Sequence, residues 1–168
     1  MIKSVLVAFG ANLGNPIQTL TEAFQELSKE WTAVAASSLY RSTPVGGVEQ
    51  DDFINAVALF ECERTGHEIL GRLHEVENAH ERTREVRWGP RTLDLDMIML
   101  WCEGIPEISQ DPVLTLPHPR AWERVFVTAP WKELRLEGSL SQLPGFGEVA
   151  GLASSHEEIT RLESRLDS

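Results

Sequence analysis

The chain has 168 residues, of which 42% are hydrophobic and 24% charged, and these values fit one globular domain with an ordinary core. Its formal net charge of −11 argues against broad binding to nucleic acids or anionic membranes, since both need a cationic surface. The sequence shows neither an apolar run long enough to cross a membrane nor a signal peptide, so we expect a cytoplasmic protein.

The N-terminal part of the chain predicts a strand, a helix and a second strand. Residues 4–9 form a continuous apolar run, which is typical of a central strand buried on both faces. Asn15 and Pro16 suit a helix N-cap and first helical position, and apolar residues at helical spacing continue the helix to about Trp31. Residues 34–40 predict a single strand, followed by a loop rich in proline and glycine.

The middle of the chain repeats this pattern. Residues 53–62 predict a third strand, residues 65–80 a second helix, residues 81–91 a charged loop and residues 93–101 a fourth strand. The order β-α-β-β-α-β predicts an α+β fold with a ferredoxin-like antiparallel sheet and both helices on one face. The other face is then free for ligands or for later elements.

A C-terminal extension, about residues 139–168, follows a core of about residues 4–133 in what we expect to be one domain over residues 1–168. Ser155 and Glu158 form a capping box, and apolar residues at helical spacing follow it. The pattern predicts a helix whose apolar stripe comprises Ile159, Leu162 and Leu166. We expect this stripe to pack on its own domain and the protein to be a monomer; a dimer contact through the tail is the alternative.

Asp94 and Asp96 stand two residues apart in the fourth strand, so their side chains point to the same face. The core face is expected to receive the apolar residues Leu93, Leu95, Met97 and Met99. Carboxylates in this arrangement suit Mg²⁺, which binds oxygen ligands and often takes one or two carboxylates together with phosphates and water. The alternative is a solvated polar face on an edge strand.

Arginines cluster in the charged loop before this strand, at Arg82, Arg84, Arg87 and Arg91. Guanidinium groups on such a loop can fold over a polyphosphate and neutralise charge that develops during transfer. The alternative is a salt-bridged helix end, because glutamates surround the loop. Trp88 is either a core residue or a flat surface beside a nucleotide.

Further candidates lie on other elements. Phe53 and Asn55 share a strand face, where the ring could stack on a flat heterocycle and the amide could hydrogen-bond it. The loop at residues 42–46 could lie beside the same heterocycle. The alternative is an ordinary core Phe and a structural Asn.

His118 lies in a proline-rich turn close to Arg124, and together they suggest a second wall of a phosphate site.

His74 and Glu77 are three residues apart on one helix face. They could reach a nucleotide edge or ribose, or they could form a local surface pair. The sequence contains no P-loop, no protein-kinase signature and no GxSxG nucleophile motif, so these three catalytic classes are excluded.

Together these motifs resemble the 6-hydroxymethyl-7,8-dihydropterin pyrophosphokinase family of folate biosynthesis. The matching segments, in chain order, are Phe9-Gly-Ala-Asn-Leu-Gly14, Ser38-Leu-Tyr-Arg-Ser-Thr-Pro-Val-Gly46, Phe53-Ile-Asn55, Arg82-Thr-Arg84, Arg87 to Asp96, Leu116-Pro-His-Pro-Arg120 and Arg124-Val-Phe126. The resemblance covers roughly residues 4–133. It implies transfer of a pyrophosphoryl group from ATP to the pterin hydroxymethyl group, with release of AMP and the help of two Mg²⁺ ions.

The resemblance also implies a role for each matching residue. Asp94 and Asp96 would hold both metal ions, and Arg82 and Arg91 would act on the triphosphate and the transferring group. The ATP side would comprise His74, Glu77, Arg84, Trp88, Arg91, Ile98, His118 and Arg124. The pterin side would comprise Thr43, Pro44, Val45, Phe53, Asn55, Trp88 and Phe126. The rival hypothesis is a non-catalytic ferredoxin-like module that binds a nucleotide or a protein.

Overall fold

The computed structural model describes residues 1–44, 50–80, 92–140 and 159–168. The strands are β1 (Lys3–Ala11), β2 (Thr32–Ala36), β3 (Ser38–Ser42), β4 (Phe53–Cys62), β5 (Asp94–Cys102), β6 (Ile105–Pro106), β7 (Ser109–Gln110), β8 (Thr115–Leu116) and β9 (Ile159–Arg165). The helices are α1 (Pro16–Ser28), α2 (Gly66–His80), a 3-10 helix (Ala121–Glu123), α3 (Val125–Glu133) and α4 (Glu137–Leu140). None of these described helices is long and apolar enough to span a membrane.

The main sheet has the strand order β6-β5-β1-β4-β3-β9, and β2 also pairs with β4. Every pairing between neighbours is antiparallel. β1 is central, as the sequence predicts, because its apolar run is buried from Val5 to Phe9. The predicted ferredoxin-like α+β fold is therefore confirmed.

The larger hydrophobic cluster lies between the sheet and the two predicted helices. Leu20 and Leu27 of α1 and Leu73 of α2 are fully buried in it. α1 begins at Pro16 with Asn15 as its N-cap, as expected, but it ends at Ser28. Trp31 is nonetheless 4% exposed, since it turns back into this cluster beyond the helix end.

α3 covers part of the opposite face of the sheet. Val127 and Trp131 of this helix pack with Leu6 and Val57 from the central strands to form a second hydrophobic cluster. Within the described residues, no helix covers the rest of that face near the start of α3. The candidate site lies there.

The strand predicted at residues 34–40 is interrupted at Ser37 and forms β2 and β3. Ser37 is fully buried, and its hydroxyl accepts a hydrogen bond from the backbone N–H of Val57 at 3.0 Å. A serine hydroxyl that replaces a backbone partner disturbs the regular ladder, which explains a break that periodicity alone did not predict.

A β-bulge changes the predicted facing of β5. Leu6 pairs with Met99 while its neighbour Val7 pairs with Met97, so Ile98 is an extra residue in β5. Met97 packs in the cluster beneath the helices, but Ile98 and Met99 both pack in the cluster under α3. The expectation that Met99 shares a face with Met97 is therefore wrong.

The C-terminal segment is a strand at residues 159–165, so the predicted helix is wrong there; Ser155 and Glu158 lie outside the described residues. β9 pairs with β3, whose open edge offers backbone groups that a strand can satisfy. Leu166 is 1% exposed in the larger cluster, and Leu162 packs against it. The expectation that this apolar stripe packs on its own domain is confirmed for Leu162 and Leu166, while Ile159 is half-buried at the start of β9.

Candidate active site

The two aspartates begin β5 on the sheet face opposite the two long helices. Asp94 pairs with Gly10 and Asp96 with Ala8 across the β1–β5 ladder, while Leu95 between them points into the core. The side chain of Asp96 is 45% exposed, and its Oδ2 lies 3.8 Å from Nη1 of Arg124. The prediction that the two carboxylates lie on the same face is confirmed, because both aspartates line the same two cavities, which are described next.

Two cavities meet at this pair. One, of about 280 Å³, is lined by Ala8, Phe9, Gly10, Ser42, Thr43, Pro44, Phe53, Asn55, Asp94, Asp96, Arg124, Phe126 and Val127. The other, of about 440 Å³, is lined by Leu70, His74, Glu77, Asp94, Leu95, Asp96, Met97, Pro112, Val113, Leu114, Thr115, His118 and Pro119. Asp94 and Asp96 belong to both linings, so ligands in the two cavities would meet at these carboxylates.

The smaller cavity, called here the aromatic cavity, brings together Phe53 of β4 and Phe126 of α3. Asn55 lies in its wall at 4% exposure, and its Nδ2 donates a hydrogen bond to Oγ of Ser42 at 2.7 Å. A Cβ atom added at Gly10 would lie 3.2 Å from Oδ1 of Asn55, so glycine leaves room for this amide. A cavity with two aromatic side chains and one fixed amide in its lining suits a heterocycle with polar edges.

Arg124 joins the aromatic cavity to the aspartates. Its Cζ lies 5.9 Å from the ring centroid of Phe126, while its guanidinium also approaches Asp96. The residue is the N-cap of α3, and its carbonyl oxygen accepts hydrogen bonds from the backbone N–H groups of Val127 and Thr128 at 2.9 Å. Among the described residues, the guanidinium of Arg124 is thus a cation placed beside the carboxylate pair.

The larger cavity, called here the histidine cavity, contains His74 and Glu77 of α2 together with His118. Oε2 of Glu77 accepts a hydrogen bond from the backbone N–H of Leu95 at 2.9 Å. This contact fixes the strand between the two aspartates. Glu77 thus lines the cavity and also holds the strand that carries the aspartates, a bond for which the sequence pattern provides no signal.

His118 and Ile98 meet through the backbone: the N–H of His118 donates to the carbonyl oxygen of Ile98 at 2.8 Å. The pKa of the His118 imidazole lies below its usual value, chiefly because the ring is buried. The negative charge of Asp96 opposes this decrease, whereas the positive charges of Arg124 and Arg120 add to it. The side chain of Ile98 is 1% exposed in the cluster under α3 and lines neither cavity. A ligand contact from Ile98 would have to come from its backbone.

The structure therefore brings together most predicted site residues that it describes. Thr43 and Pro44 line the aromatic cavity as expected. The remaining predicted residues, Val45, Arg82, Arg84, Trp88 and Arg91, lie outside the described residues.

Sequence reasoning missed one polar residue that organises the site's edge. Asn12 is 2% exposed, and its Nδ2 donates to Oε1 of Gln50 at 2.9 Å and to the backbone oxygen of Asp51 at 3.0 Å. These bonds fasten the loop that leads to Phe53 onto the end of β1. Its position in a turn, among residues with high turn propensity, concealed this long-range role.

The donor set at β5 fits a magnesium ion that shares its coordination with a phosphate ligand. The described residues contain no group of three or more His, Cys, Asp or Glu side chains able to enclose a metal. Mg²⁺ commonly uses only one or two carboxylates and completes its shell with phosphate oxygens and water. Asp94 and Asp96 provide two such carboxylates beside two ligand-sized cavities.

The fold and the site together define a class of protein. It is an α+β protein whose ferredoxin-like sheet carries a carboxylate pair between two cavities, and so offers a site for two small ligands. Sequence comparison gives the family: a profile of 7,8-dihydro-6-hydroxymethylpterin-pyrophosphokinase (HPPK) matches residues 6–136. The chain therefore belongs to the HPPK family.

Relatives of known name agree with this assignment. The 2-amino-4-hydroxy-6-hydroxymethyldihydropteridine pyrophosphokinase of Haemophilus influenzae is 38% identical over 155 residues, which covers 91% of this chain and 94% of the relative. The enzyme of that name from Pseudomonas aeruginosa is 40% identical over 137 residues, covering 80% and 82% of the two chains.

A solved structure supports the fold independently. A Plasmodium falciparum HPPK-DHPS crystal structure with pterin and p-hydrobenzoate matches with a TM-score of 0.60 at 10% sequence identity. The match covers 96% of this chain but 48% of the Plasmodium chain, so this chain spans about half of that protein. At this identity the likeness concerns the fold alone.

Proposed function

We propose that the chain performs its family's reaction at the junction of the two cavities, on the aspartate pair of β5. As a member of the HPPK family it is an ATP-dependent pyrophosphokinase, which transfers the pyrophosphoryl group of ATP to 6-hydroxymethyl-7,8-dihydropterin in folate biosynthesis. The observation that supports this location is that Asp94 and Asp96 line both cavities.

The aromatic cavity is the proposed pterin site. Phe53 and Phe126 would hold the ring between them, and Asn55 would hydrogen-bond its polar edge while Ser42 fixes the amide. Thr43, Pro44 and Val45 would complete the slot. The pterin hydroxymethyl group would then point toward the aspartates, which lie in the same cavity wall.

The histidine cavity is the proposed nucleotide site. His74 and His118 line it, and Glu77 shapes it by holding β5. Arg84, Trp88, Arg124 and the backbone of Ile98 are the further ATP contacts that we propose. The triphosphate would extend from this cavity toward Asp94 and Asp96, where the two substrates meet.

In the reaction, the pterin hydroxyl oxygen forms a bond to the β-phosphorus of ATP, the bond from that phosphorus to the α-phosphate oxygen breaks, and the hydroxyl proton is lost. Holding the two substrates in line supplies much of the rate enhancement in such a transfer. Arg82 and Arg91, with Arg124 beside Asp96, would neutralise charge on the transferring group.

Asp94 and Asp96 are the proposed ligands of two Mg²⁺ ions. Bound there, the ions would neutralise phosphate charge and lower the pKa of the attacking hydroxyl. The bond from Leu95 to Glu77 and the pairing of β5 with β1 keep the two carboxylates on a rigid strand. We further propose that residues 1–168 act as one domain, as a cytoplasmic monomer that binds neither nucleic acid nor membranes.

An assay of nucleotide release tests the proposed function. With Mg²⁺, ATP and 6-hydroxymethyl-7,8-dihydropterin, the protein should form AMP and pterin diphosphate in equal amounts. Without the pterin, AMP formation should fall to background. Formation of ADP, or AMP release that does not depend on the pterin, would contradict the assignment. Release of no nucleotide product at all would favour the rival binding module.

A further inference from the structure

The carboxylate of Glu133 connects three elements at the far end of α3. Its side chain is only 12% exposed. Both of its oxygens accept from the backbone N–H of Ser38 at 3.0 Å, and Oε1 also accepts from the hydroxyl of Tyr40 at 2.8 Å. Ser38 adds a third contact through its own hydroxyl, at 3.0 Å from Oε2.

The C-terminal strand completes this cluster. Arg161 and Arg165 of β9 place nitrogens 3.5 Å and 3.3 Å from Oε2 of Glu133. Arg161 also donates to Oγ of Ser38 at 3.2 Å, and Arg165 donates to the carbonyl oxygen of Ala36 at 2.6 Å. We call the cluster formed by Ser38, Tyr40, Glu133, Arg161 and Arg165 the Glu133 clamp.

Glu133 occupies an unfavourable position for a carboxylate. It is the last residue of α3, and the C-terminus of a helix carries partial negative charge that disfavours an acidic side chain. Burial raises the pKa of Glu133, yet the hydrogen bonds from Tyr40 and Ser38 and the charge of Arg161 outweigh burial, so its pKa lies below the usual value. An acidic residue that is unfavourable at a helix C-terminus, yet is stabilised there by so many contacts, often serves a functional site rather than the helix that carries it.

Two of the three elements that the clamp joins, α3 and β3, reach the aromatic cavity. α3 begins at Val125, next to Arg124 and Phe126, and β3 ends at Ser42, next to Thr43 and Pro44. A rigid helix held at one end transmits its position to the other. The clamp therefore sets where Phe126 lies relative to the wall formed by β3 and β4.

We propose that Glu133 is a positioning residue for the pterin, and that the C-terminal strand fixes the width of the aromatic cavity through it. The proposal rests on the assignment of the aromatic cavity as the pterin site. The histidine cavity lacks α3 and β3 residues in its described lining, and Arg124 at the start of α3 is the proposed ATP contact nearest to the clamped helix. The clamp should therefore affect the pterin more strongly than ATP.

The test compares Glu133→Gln with Glu163→Gln, a matched control that removes an exposed carboxylate from β9. For Glu133→Gln we expect the KM for the pterin to rise about tenfold, which corresponds to loss of one well-placed contact, with smaller changes in kcat and in the KM for ATP. The control should match the parent. An unchanged KM for the pterin, or equal effects on both substrates, would overturn the proposal.

A second readout reports the clamp without using activity. Tyr40 is the only tyrosine in the chain, so an ultraviolet titration of phenolate follows it alone. Burial, together with the hydrogen bond to Glu133 and its negative charge, raises the pKa of Tyr40 to about 12. In Glu133→Gln the phenolate should form at lower pH, closer to the ordinary value of about 10.

The two readouts separate the possible failures. If the parent shows no pterin-dependent AMP release, the proposed function fails while the tyrosine titration still tests the clamp. If Tyr40 titrates at the same pH in Glu133→Gln as in the parent, the clamp itself is contradicted. Should Glu133→Gln not fold, the double variant Arg161→Gln/Arg165→Gln replaces it; a raised KM for the pterin supports the proposal and an unchanged one overturns it.

Discussion

At the scale of single residues, the site is built from short polar side chains held on rigid strands. Asp96 is the member of the pair whose environment is clearest, since it is half-exposed and faces Arg124 across 3.8 Å. An exposed pair of this kind contributes little to stability. This weak contribution to stability supports our proposal that Asp96 serves the reaction.

Asp96→Ala should lose activity without loss of fold. We expect turnover with Mg²⁺, ATP and the pterin to fall at least about a thousandfold, because the charge stabilisation attributed to such a metal site is several kcal/mol. The midpoint temperature of thermal unfolding should stay within a few degrees of the parent value, because the exposed ion pair contributes about 1 kcal/mol or less to the free energy of unfolding. Both quantities are measured on the same preparation.

Glu63→Ala serves as the control for this variant, since Glu63 is an exposed carboxylate in the turn before α2. It should leave turnover unchanged. Activity of Asp96→Ala within a few-fold of the parent would remove Asp96 from the metal site.

At the scale of elements, the predictable parts were those set by local pattern. The apolar run of β1 and the helical spacing of α1 and α2 gave these elements nearly to their observed ends. The break at Ser37 and the bulge at Ile98 depend on partners in other strands, so no local pattern reports them. The same holds for the bond from Glu77 to Leu95.

The C-terminal segment shows how tertiary context overrides a local pattern. Ile159, Leu162 and Leu166 have helical spacing, but the open edge of β3 and the clamp on Glu133 favour a strand. Spacing still predicted correctly that Leu162 and Leu166 would pack on the core. It could not predict the backbone conformation, which the neighbouring strand decides.

Leu166→Ala should destabilise the whole protein, although the residue lies two positions from the end of the printed sequence. Its side chain is 1% exposed in the larger cluster, so truncation should lower the free energy of unfolding by about 2–5 kcal/mol. Denaturant unfolding measures this. Leu162→Ala, which truncates a partly buried side chain, should cost less. A loss below about 1 kcal/mol for Leu166→Ala would show that the C-terminal segment is not part of the core.

At the scale of the whole molecule, the two faces of the sheet have different roles: one forms the main core, and the other carries the candidate site. The face covered by α1 and α2 buries the larger hydrophobic cluster and gives the molecule its rigidity. The opposite face carries α3 and the aspartate pair. The pair and the start of α3 line the aromatic cavity, whereas the pair and α2 line the histidine cavity. The residue types of the site were visible in the sequence, but the two-cavity arrangement was not, because it joins β1, β4, β5, α2 and α3.

The central claim is that the aspartate pair lies between a pterin site and a nucleotide site. A crystal structure with Mg²⁺, a non-hydrolysable ATP analogue and the pterin tests it most directly. The account predicts the pterin ring between Phe53 and Phe126, adenosine beside His74 and His118, and metal bound by Asp94 and Asp96. A pterin ring in the histidine cavity, or metal without either aspartate as a ligand, would contradict it.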